Sequence, residues 1–314
     1  MKTIFFTGKG GVGKSTLASA AAWQLMEKGN RVLAVSFDPA HNLGDIFHLK
    51  LGHRKKRFKD TNLFLQETNL EKSAAEYIKA NMSILQEVYS YLTTINFDSY
   101  FEILKYSPGV EEYAALTSME KILENEQENF DYIVFDTPPT GLTLRILALP
   151  RLTISWIDRL IKIRKDILEK RYTIHKLKGN YDEKGTRLAY TEDEDMVIQK
   201  LYAMKAKYCA VQDLIRGPDN QVVVVFNPDY LSLRESQRLL EGITELELPI
   251  DTIFHNKVDD EKSEIVEGVE KELLKGYPRI RVERVPLINH TEPTCYIMDT
   301  DITASFEGGT HSAE

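Results

Sequence analysis

Nine residues near the start of the chain, GKGGVGKST at positions 8–16, combine glycines with two lysines and two hydroxyl side chains. The spacing Gly8-x4-Gly13-Lys14-Ser15 is the pattern of a phosphate-binding loop, with a strand-like segment before it and a helix-like segment after it. In this arrangement backbone N–H groups and the positive end of a helix surround phosphate oxygens. The residues predicted to bind the phosphates are Gly8, Lys9, Gly10, Gly11, Val12, Gly13, Lys14, Ser15 and Thr16.

Three side chains, two in this loop and one further along the chain, indicate phosphoryl-transfer chemistry with a magnesium ion. Lys14 is predicted to be catalytic and to reach the β- and γ-phosphates, while Ser15 places its hydroxyl on Mg²⁺. Further along, the apolar run 132–135 ends in Asp136. A carboxylate at the tip of a buried strand would hold the water shell of the same Mg²⁺.

Lys9 is one lysine more than the phosphate loop requires. At the second position of the motif it lies on the outer rim and points away from the phosphates of its own loop. Either it is a solvated surface side chain, or it is a catalytic group that crosses to the nucleotide of a second copy of the chain. There it would neutralise charge that develops during phosphoryl transfer. The second alternative requires a homodimer.

The elements that must position these residues alternate between short β-rich runs and longer helical patterns. We predict strands at 3–7, 31–36, 63–66, 132–136, 222–227, 252–256 and 280–285, and helices at 15–28, 232–242 and 261–275. Near-continuous apolar runs such as 222–226 are typical of strands buried on both faces. The predicted fold is α/β: a P-loop NTPase with a mostly parallel sheet flanked by helices.

Two mostly helical stretches interrupt this alternation. They cover residues 71–128 and 150–215, and we expect them to form an inserted helical subdomain of a single P-loop domain that covers residues 1–314. A polar segment at 179–191 is predicted to be a mobile loop. Apolar side chains at 82–104 and 152–167 either line a groove or form ordinary core.

Composition excludes several classes of protein. The net charge of −8 argues against nucleic acid as a partner, because such proteins usually carry a basic excess. The two cysteines, Cys209 and Cys295, exclude a disulfide framework and a four-cysteine zinc site within one chain. The N-terminus lacks the features of a signal peptide, and no run of about 18 apolar residues occurs. We therefore expect a cytoplasmic protein.

The loop form KGGVGKS is typical of ATPases with a deviant Walker A motif. Four further segments occur in order: SFDPAHNLGDIF at 36–47, SPGVEE at 107–112, FDTPPTGLTLRILALP at 135–150 and NPDYLSLRESQR at 227–238. They resemble switch I, the PGxxE segment, switch II and the PExLSLxETxR segment of the ArsA-like arsenite-pump and tail-anchored-protein-targeting ATPase family. The resemblance covers nearly the whole chain, and it implies ATP as the nucleotide.

The resemblance also implies roles for single residues. Asp38 takes the catalytic position that orients the attacking water, and Asn42 lies near the γ-phosphate. Asn256 corresponds to an amide that reads the edge of adenine, while Pro286 and Leu287 fall in the loop that flanks adenine. Two alternatives remain from the residues alone: Asp38 is a turn acid, or Asn256 merely ends a strand.

The chain departs from the family pattern at several points. It lacks the zinc-binding CxxC of the eukaryotic targeting ATPases and the cysteine cluster of the arsenite pumps, and Pro138 and Leu142 replace an alanine and a histidine of switch II. It corresponds to one half of a pump ATPase, so two copies are needed for a site shared between halves.

The functional prediction is a Mg²⁺-dependent ATPase that acts as a homodimeric nucleotide switch. ATP hydrolysis would be coupled to binding and release of a client, either a hydrophobic transmembrane segment or a protein associated with a membrane receptor. The alternatives are a metal-centre or cofactor maturation ATPase and an arsenite-pump-related ATPase. The polar, acidic C-terminus argues against a positional ATPase that binds membranes through a basic C-terminal helix.

Overall fold

The computed structural model describes residues 1–38, 42–88, 109–178, 189–259, 263–287, 296–297 and 299–307. Its strands are β1 (Lys2–Gly8), β2 (Val32–Ser36), β3 (Lys56–Arg57), β4 (Leu63–Glu67), β5 (Tyr132–Asp136), β6 (Asn220–Phe226), β7 (Thr252–Val258) and β8 (Arg281–Pro286). Its helices are α1 (Lys14–Glu27), α2 (Asn42–Ile46), α3 (Leu70–Val88), α4 (Val110–Glu126), α5 (Thr140–Lys178), α6 (Met196–Arg216), α7 (Tyr230–Glu245), α8 (Ser263–Leu274) and α9 (Ala304–Glu307).

The strands form one sheet in the order β3-β4-β2-β5-β1-β6-β7-β8. All neighbours in this order pair in parallel except β3, which runs antiparallel to β4. The central strands carry apolar side chains on both faces, and these pack into two large hydrophobic clusters, one on each side of the sheet. The predicted α/β class with a mostly parallel sheet and flanking helices is therefore confirmed.

The register brings the carboxyl ends of three strands to one edge of the sheet. Phe6 of β1 pairs with Asp136 of β5, and Ser36 of β2 pairs with the same residue. The phosphate loop begins directly after β1, and the segment that resembles switch I begins directly after β2. In open parallel sheets ligands bind at this edge.

The helical regions differ from the prediction in their bounds. The second predicted stretch begins at 150, but α5 begins at Thr140 and continues through Pro150 for 39 residues. In the first stretch, α3 and α4 pack against each other, and in the second α5 packs against α6. Residues 89–108 and 179–188, which include much of the predicted mobile loop, lie outside the described residues. None of the described helices is long and apolar enough to cross a membrane.

Candidate active site

The phosphate loop joins β1 to α1, as the sequence pattern requires. Gly13 caps the N-terminus of α1 with φ 98°, a left-handed conformation that favours glycine. A Cβ atom at this position would lie 2.3 Å from the Nδ2 atom of Asn256, so a larger residue would push this side chain away. The loop therefore leaves its backbone open to a ligand at the end of the helix where anions are stabilised.

A cavity of about 390 Å³ lies over this loop. It brings together eleven of the residues predicted to form the site, which are Gly10, Gly11, Gly13, Lys14, Ser15, Thr16, Asp38, Asn42, Asn256, Pro286 and Leu287. Asp45, Ile46, Lys257 and Val285 line the same cavity but were not predicted. The predicted residues Gly8, Lys9, Val12 and Asp136 are not part of the lining.

Lys14 is buried at the base of the loop. Its side chain is 4% exposed, and its ammonium donates a hydrogen bond of 3.2 Å to the carbonyl of Lys9. Burial lowers the pKa of Lys14, while the carboxylates of Asp136 and Asp38 act in the opposite direction. A desolvated ammonium held close to two carboxylates suits an anionic ligand with an accompanying cation.

Asp136 ends β5 beneath Lys14 and is also buried. Ser36 donates a hydrogen bond of 3.2 Å to its Oδ2 atom, whereas its Oδ1 atom is buried without a hydrogen-bond partner. Burial raises the pKa of Asp136 to about 6, although hydrogen bonding from Ser15 and the charge of Lys14 lower it. A buried carboxylate oxygen without a partner, next to a serine hydroxyl, fits the hard oxygen ligands that Mg²⁺ requires.

Ser36, the last residue of β2, links the Asp136 carboxylate to the backbone of Asp38. The Ser36 hydroxyl accepts a hydrogen bond from the Asp38 backbone N–H at 3.2 Å and donates one to Asp136. Asp38 and Asn42 both line the cavity, while residues 39–41 lie outside the described residues. One serine hydroxyl therefore contacts both the segment that carries Asp38 and the end of β5 that carries Asp136.

The opposite end of the cavity is formed by β7 and β8. Asn256 donates a hydrogen bond of 2.7 Å from Nδ2 to the carbonyl of Val12, which ties β7 to the phosphate loop. Lys257 donates one of 2.9 Å to the carbonyl of Gly11. Pro286, at the end of β8, and Leu287 also line the cavity, and the Leu287 N–H donates to the carbonyl of Val258 at 2.8 Å.

A buried histidine and a partly exposed ion pair lie next to this end of the cavity. His255 is fully buried, and its Nδ1 atom lies 2.7 Å from the Oε1 atom of Glu270, which forms a two-pronged ion pair with Arg284. Burial lowers the pKa of His255, and Glu270 opposes that effect. These contacts hold the carboxyl end of β7, and hence Asn256, against β8.

The structure places Lys9 outside its own cavity. Its ammonium lies 3.9 Å from the Oδ1 atom of Asp229, the residue that caps the N-terminus of α7. Both side chains are partly exposed, at 29% and 51%, so this pair is weak. Lys9 therefore does not line its own cavity, and its role at the nucleotide of a second copy stays a prediction.

Comparison with known proteins identifies the family. A model of the family described as Anion-transporting ATPase matches residues 1–280. The Putative arsenical pump-driving ATPase 2 of Aquifex aeolicus is 29% identical over 280 residues, with 88% of each chain covered. The ATPase ASNA1 homolog 1 of Paramecium tetraurelia is 29% identical over 260 residues, which cover 82% of this chain and 75% of that protein.

A third relative is longer than this chain. The Putative arsenical pump-driving ATPase of Prosthecochloris vibrioformis is 29% identical over 265 residues, which cover 83% of this chain and 62% of the relative. The match of the family model to most of the chain agrees with the strand–loop–helix at residues 2–27 and with the cavity above it. The chain therefore belongs to the ArsA family of anion-transporting ATPases and is an ATPase.

Proposed function

We propose that this ATPase works as a Mg²⁺-dependent, homodimeric switch. The observation that carries the proposal is the cavity lined by Lys14, Ser15 and Asp38 at the carboxyl edge of the sheet, with the buried carboxylate of Asp136 next to Lys14 and Ser15. Bound Mg²⁺·ATP would supply the phosphoryl group and the counter-charge for its transfer. Residues of this chain would bind and orient the reacting groups.

Within one site, the proposed roles follow from burial and charge. The ammonium of Lys14 and the N–H groups of the loop would bind phosphate oxygens, and Ser15 together with Asp136, the latter through water, would hold the metal. The carboxylate of Asp38 accepts a hydrogen bond from the attacking water and so orients it. Positioning and electrostatic stabilisation account for most of the rate enhancement in phosphoryl transfer.

The proposed dimer completes each site with Lys9 of the other copy. Lys9 supports this assignment because its ammonium lies outside its own cavity and has only a weak partner. When two loops face each other, the two lysines exchange sites. A cation supplied in trans is also a way to make hydrolysis depend on dimer closure.

The proposed output surface is the outer face of α5. Its exposed side chains recur every three, four or seven residues along one side of the helix, and they are Leu152, Trp156, Leu160, Ile163, Ile167, Ile174 and Leu177. We call this set the outer stripe of α5. Exposed apolar surface of this extent is typical of an interaction site. A hydrophobic segment of a client is its proposed partner, which is the coupling that the resemblance to the targeting ATPases implies.

Mixing two inactive variants tests the dimeric switch. Lys9→Ala chains and Asp38→Asn chains are each expected to bind ATP and to hydrolyse it about a hundredfold more slowly than the unmodified chain. In a mixed dimer with Lys9 acting in trans, one site lacks both groups and the other is complete. ATPase activity should therefore recover partly on mixing. If mixed dimers form without recovery, Lys9 acts in cis or is a surface residue.

A further inference from the structure

Strand β7 is irregular where it lines the cavity beside β8. The two strands pair from Thr252–Arg281 to His255–Arg284, and the next pair is Val258–Pro286. Three steps on β7 thus correspond to two on β8, which is a β-bulge. Asn256 and Lys257 lie inside this bulge, and both line the cavity.

The bulge directs two consecutive side chains to the phosphate loop. In a regular strand neighbouring side chains project to opposite faces, so only one of the two would reach the loop. Here Asn256 donates to the carbonyl of Val12 at 2.7 Å, and the ammonium of Lys257 donates to the carbonyl of Gly11 at 2.9 Å. A positive charge is therefore held against the phosphate loop.

The backbone of Lys257 indicates that its side chain is needed at this position. Its φ of 57° is a left-handed conformation that glycine, asparagine and aspartate adopt more readily than lysine. The residue is exposed, so hydrophobic burial does not account for the choice of a long side chain. A rare conformation that is kept beside a ligand cavity points to a functional constraint.

Lys257 also changes the balance of charge at the cavity. Among the described residues that line it, Lys14 and Lys257 are positively charged, while Asp38 and Asp45 are negatively charged. The carboxylate of Asp136 lies next to Lys14. ATP remains an anion when it binds Mg²⁺, so it would add negative charge to a site that already has three carboxylates. A second ammonium reduces this repulsion.

The ammonium of Lys257 can act on bound phosphates without touching them. Phosphates bound by the N–H groups of the loop lie against the same segment that Lys257 contacts. At physiological ionic strength the interaction between charges extends over about 8 Å. Because Lys257 is exposed, water weakens its effect, which should be much smaller than that of the buried Lys14.

We infer that Lys257 is a further nucleotide-binding residue, whose ammonium stabilises the phosphates of the nucleotide in the cavity of its own chain. The bulge in β7 positions this ammonium, and the phosphate chain is its ligand. The inference rests on the proposed nucleotide site at the phosphate loop. It does not depend on the dimer, on Lys9 or on the client.

Two variants of Lys257 separate its charge from its hydrogen bond. In Lys257→Gln the amide keeps a donor for the Gly11 carbonyl but has no charge, whereas Lys257→Arg keeps both. Titration calorimetry with Mg²⁺ and ADP should show binding about three- to tenfold weaker for the glutamine variant. The affinity of the arginine variant should stay within about threefold of the unmodified chain. The loss in Lys257→Gln should become smaller at high salt, because ions screen exposed charges.

Two further variants control for effects on the fold. The Lys2 ammonium also donates to a backbone carbonyl, that of Phe306 at 3.1 Å, but at the other end of β1. Lys2→Gln is therefore the matched control and should leave the affinity for ADP unchanged. Lys257→Gly removes the side chain and suits the left-handed backbone. It should unfold at a temperature close to that of the unmodified chain, yet bind ADP as weakly as Lys257→Gln.

Three results would overturn the inference. The first is an affinity of Lys257→Gln within about threefold of the unmodified chain. The second is an equal loss in Lys257→Arg, and the third is a fall in the unfolding temperature of Lys257→Gly that accompanies its loss of affinity. Each would assign Lys257 a structural role or none.

Lys14→Ala separates these results from a failure of the nucleotide site itself. If Lys14→Ala lost ADP binding while Lys257→Gln bound ADP like the unmodified chain, only the role of Lys257 would be wrong. If both variants bound ADP like the unmodified chain, the phosphate loop would not be the nucleotide site. Mixing the Lys9 and Asp38 variants reports on the dimeric mechanism independently of either result.

Discussion

The cavity and helix α5 depart from the usual distribution of side chains in opposite directions. At the carboxyl edge of the sheet, Lys14 and Asp136 are 4% and 1% exposed, although charged side chains are rarely buried. Along α5, Trp156 and Leu177 are 63% and 79% exposed, although large apolar side chains are usually covered. Burial of the charges of Lys14 and Asp136 lowers stability unless a ligand compensates for it. Exposure of the side chains on α5 leaves apolar surface in contact with water.

The difference indicates how each region could serve the protein. At the cavity, the charges of Lys14 and Asp136 are desolvated and held by hydrogen bonds to the Lys9 carbonyl and from Ser36, which is the condition for strong electrostatic interaction with a bound phosphate. On α5, one helix face is anchored by Ile157, Ile161 and Leu168 against α6, and the opposite face is free of such packing among the described residues. Changes in the cavity should therefore alter chemistry, while changes on the outer stripe should alter association.

Lys14→Ala should have the largest effect. It removes the buried ammonium that faces Asp38 and Asp136, so the phosphates would meet two carboxylates without a counter-charge. We expect nucleotide affinity and ATPase activity to fall by at least about a hundredfold. Calorimetric titration and phosphate release measure the two quantities.

Lys28→Ala is the matched control for this change. Lys28 follows the other end of α1, where its ammonium lies 3.1 Å from the Oδ2 atom of Asp301. The Lys28→Ala substitution should leave nucleotide binding intact. If the Lys14 variant still bound ATP tightly, the assignment of the phosphate loop would be wrong.

Asp136→Asn should separate activity from stability. Burial raises the pKa of the Asp136 carboxyl group to about 6 in the folded chain. This carboxyl group therefore loses its proton at a lower pH in the unfolded chain than in the folded chain. Asp136 therefore lowers the free energy of unfolding progressively between about pH 4 and pH 6, and the loss persists above that range. The asparagine variant should be more stable than the original chain at pH 8, by about 2–3 kcal/mol, and equally stable at pH 4.

Denaturant unfolding measures this difference in stability at pH 4 and pH 8, with a metal chelator present and nucleotide absent. Asp136→Asn should also lose Mg²⁺-dependent ATP hydrolysis. Asp131→Asn, just before β5, provides the control of opposite sign. A hydrogen bond from the Arg31 backbone lowers the pKa of Asp131, so its replacement should not stabilise the protein at pH 8. Equal stability of Asp136→Asn and the original chain at pH 8 would contradict the buried charge.

The sequence predicted the strands that carry the phosphate end of the cavity because each is a short apolar run that ends at a polar residue. Asp136 and the loop at 8–16 could be assigned for that reason. The edge strand β3 was missed, since Lys56 and Arg57 are exposed and have no apolar pattern. Lys257 was missed because strand alternation places it opposite to Asn256, and only the bulge brings both to the loop.

The two faces of α5 were also beyond prediction from the sequence. Apolar residues at 152–167 suit either a core or a groove, because periodicity shows which residues share a side but not what covers each side. The structure separates the apolar residues at 152–167 into a buried group and an exposed group. Ile157 and Ile161 pack against α6, while Trp156 and Leu160 are exposed. The bounds of the helical subdomain remain a proposal for the same reason, since they depend on tertiary packing.

Substitutions on the two faces of α5 should give the smallest effects on stability, and they test whether the outer stripe is a binding surface. Ile157→Val removes one buried methylene and should lower the free energy of unfolding by about 1 kcal/mol. Trp156→Gln removes an exposed ring and should change it by less than about 0.5 kcal/mol. Binding of a hydrophobic helical peptide should show the reverse order, because Trp156 supplies contact area that Ile157 lacks. If both variants bound the peptide equally well while ATPase activity was intact, the outer stripe would not be the client surface, and the exposed face of α5 would require another partner.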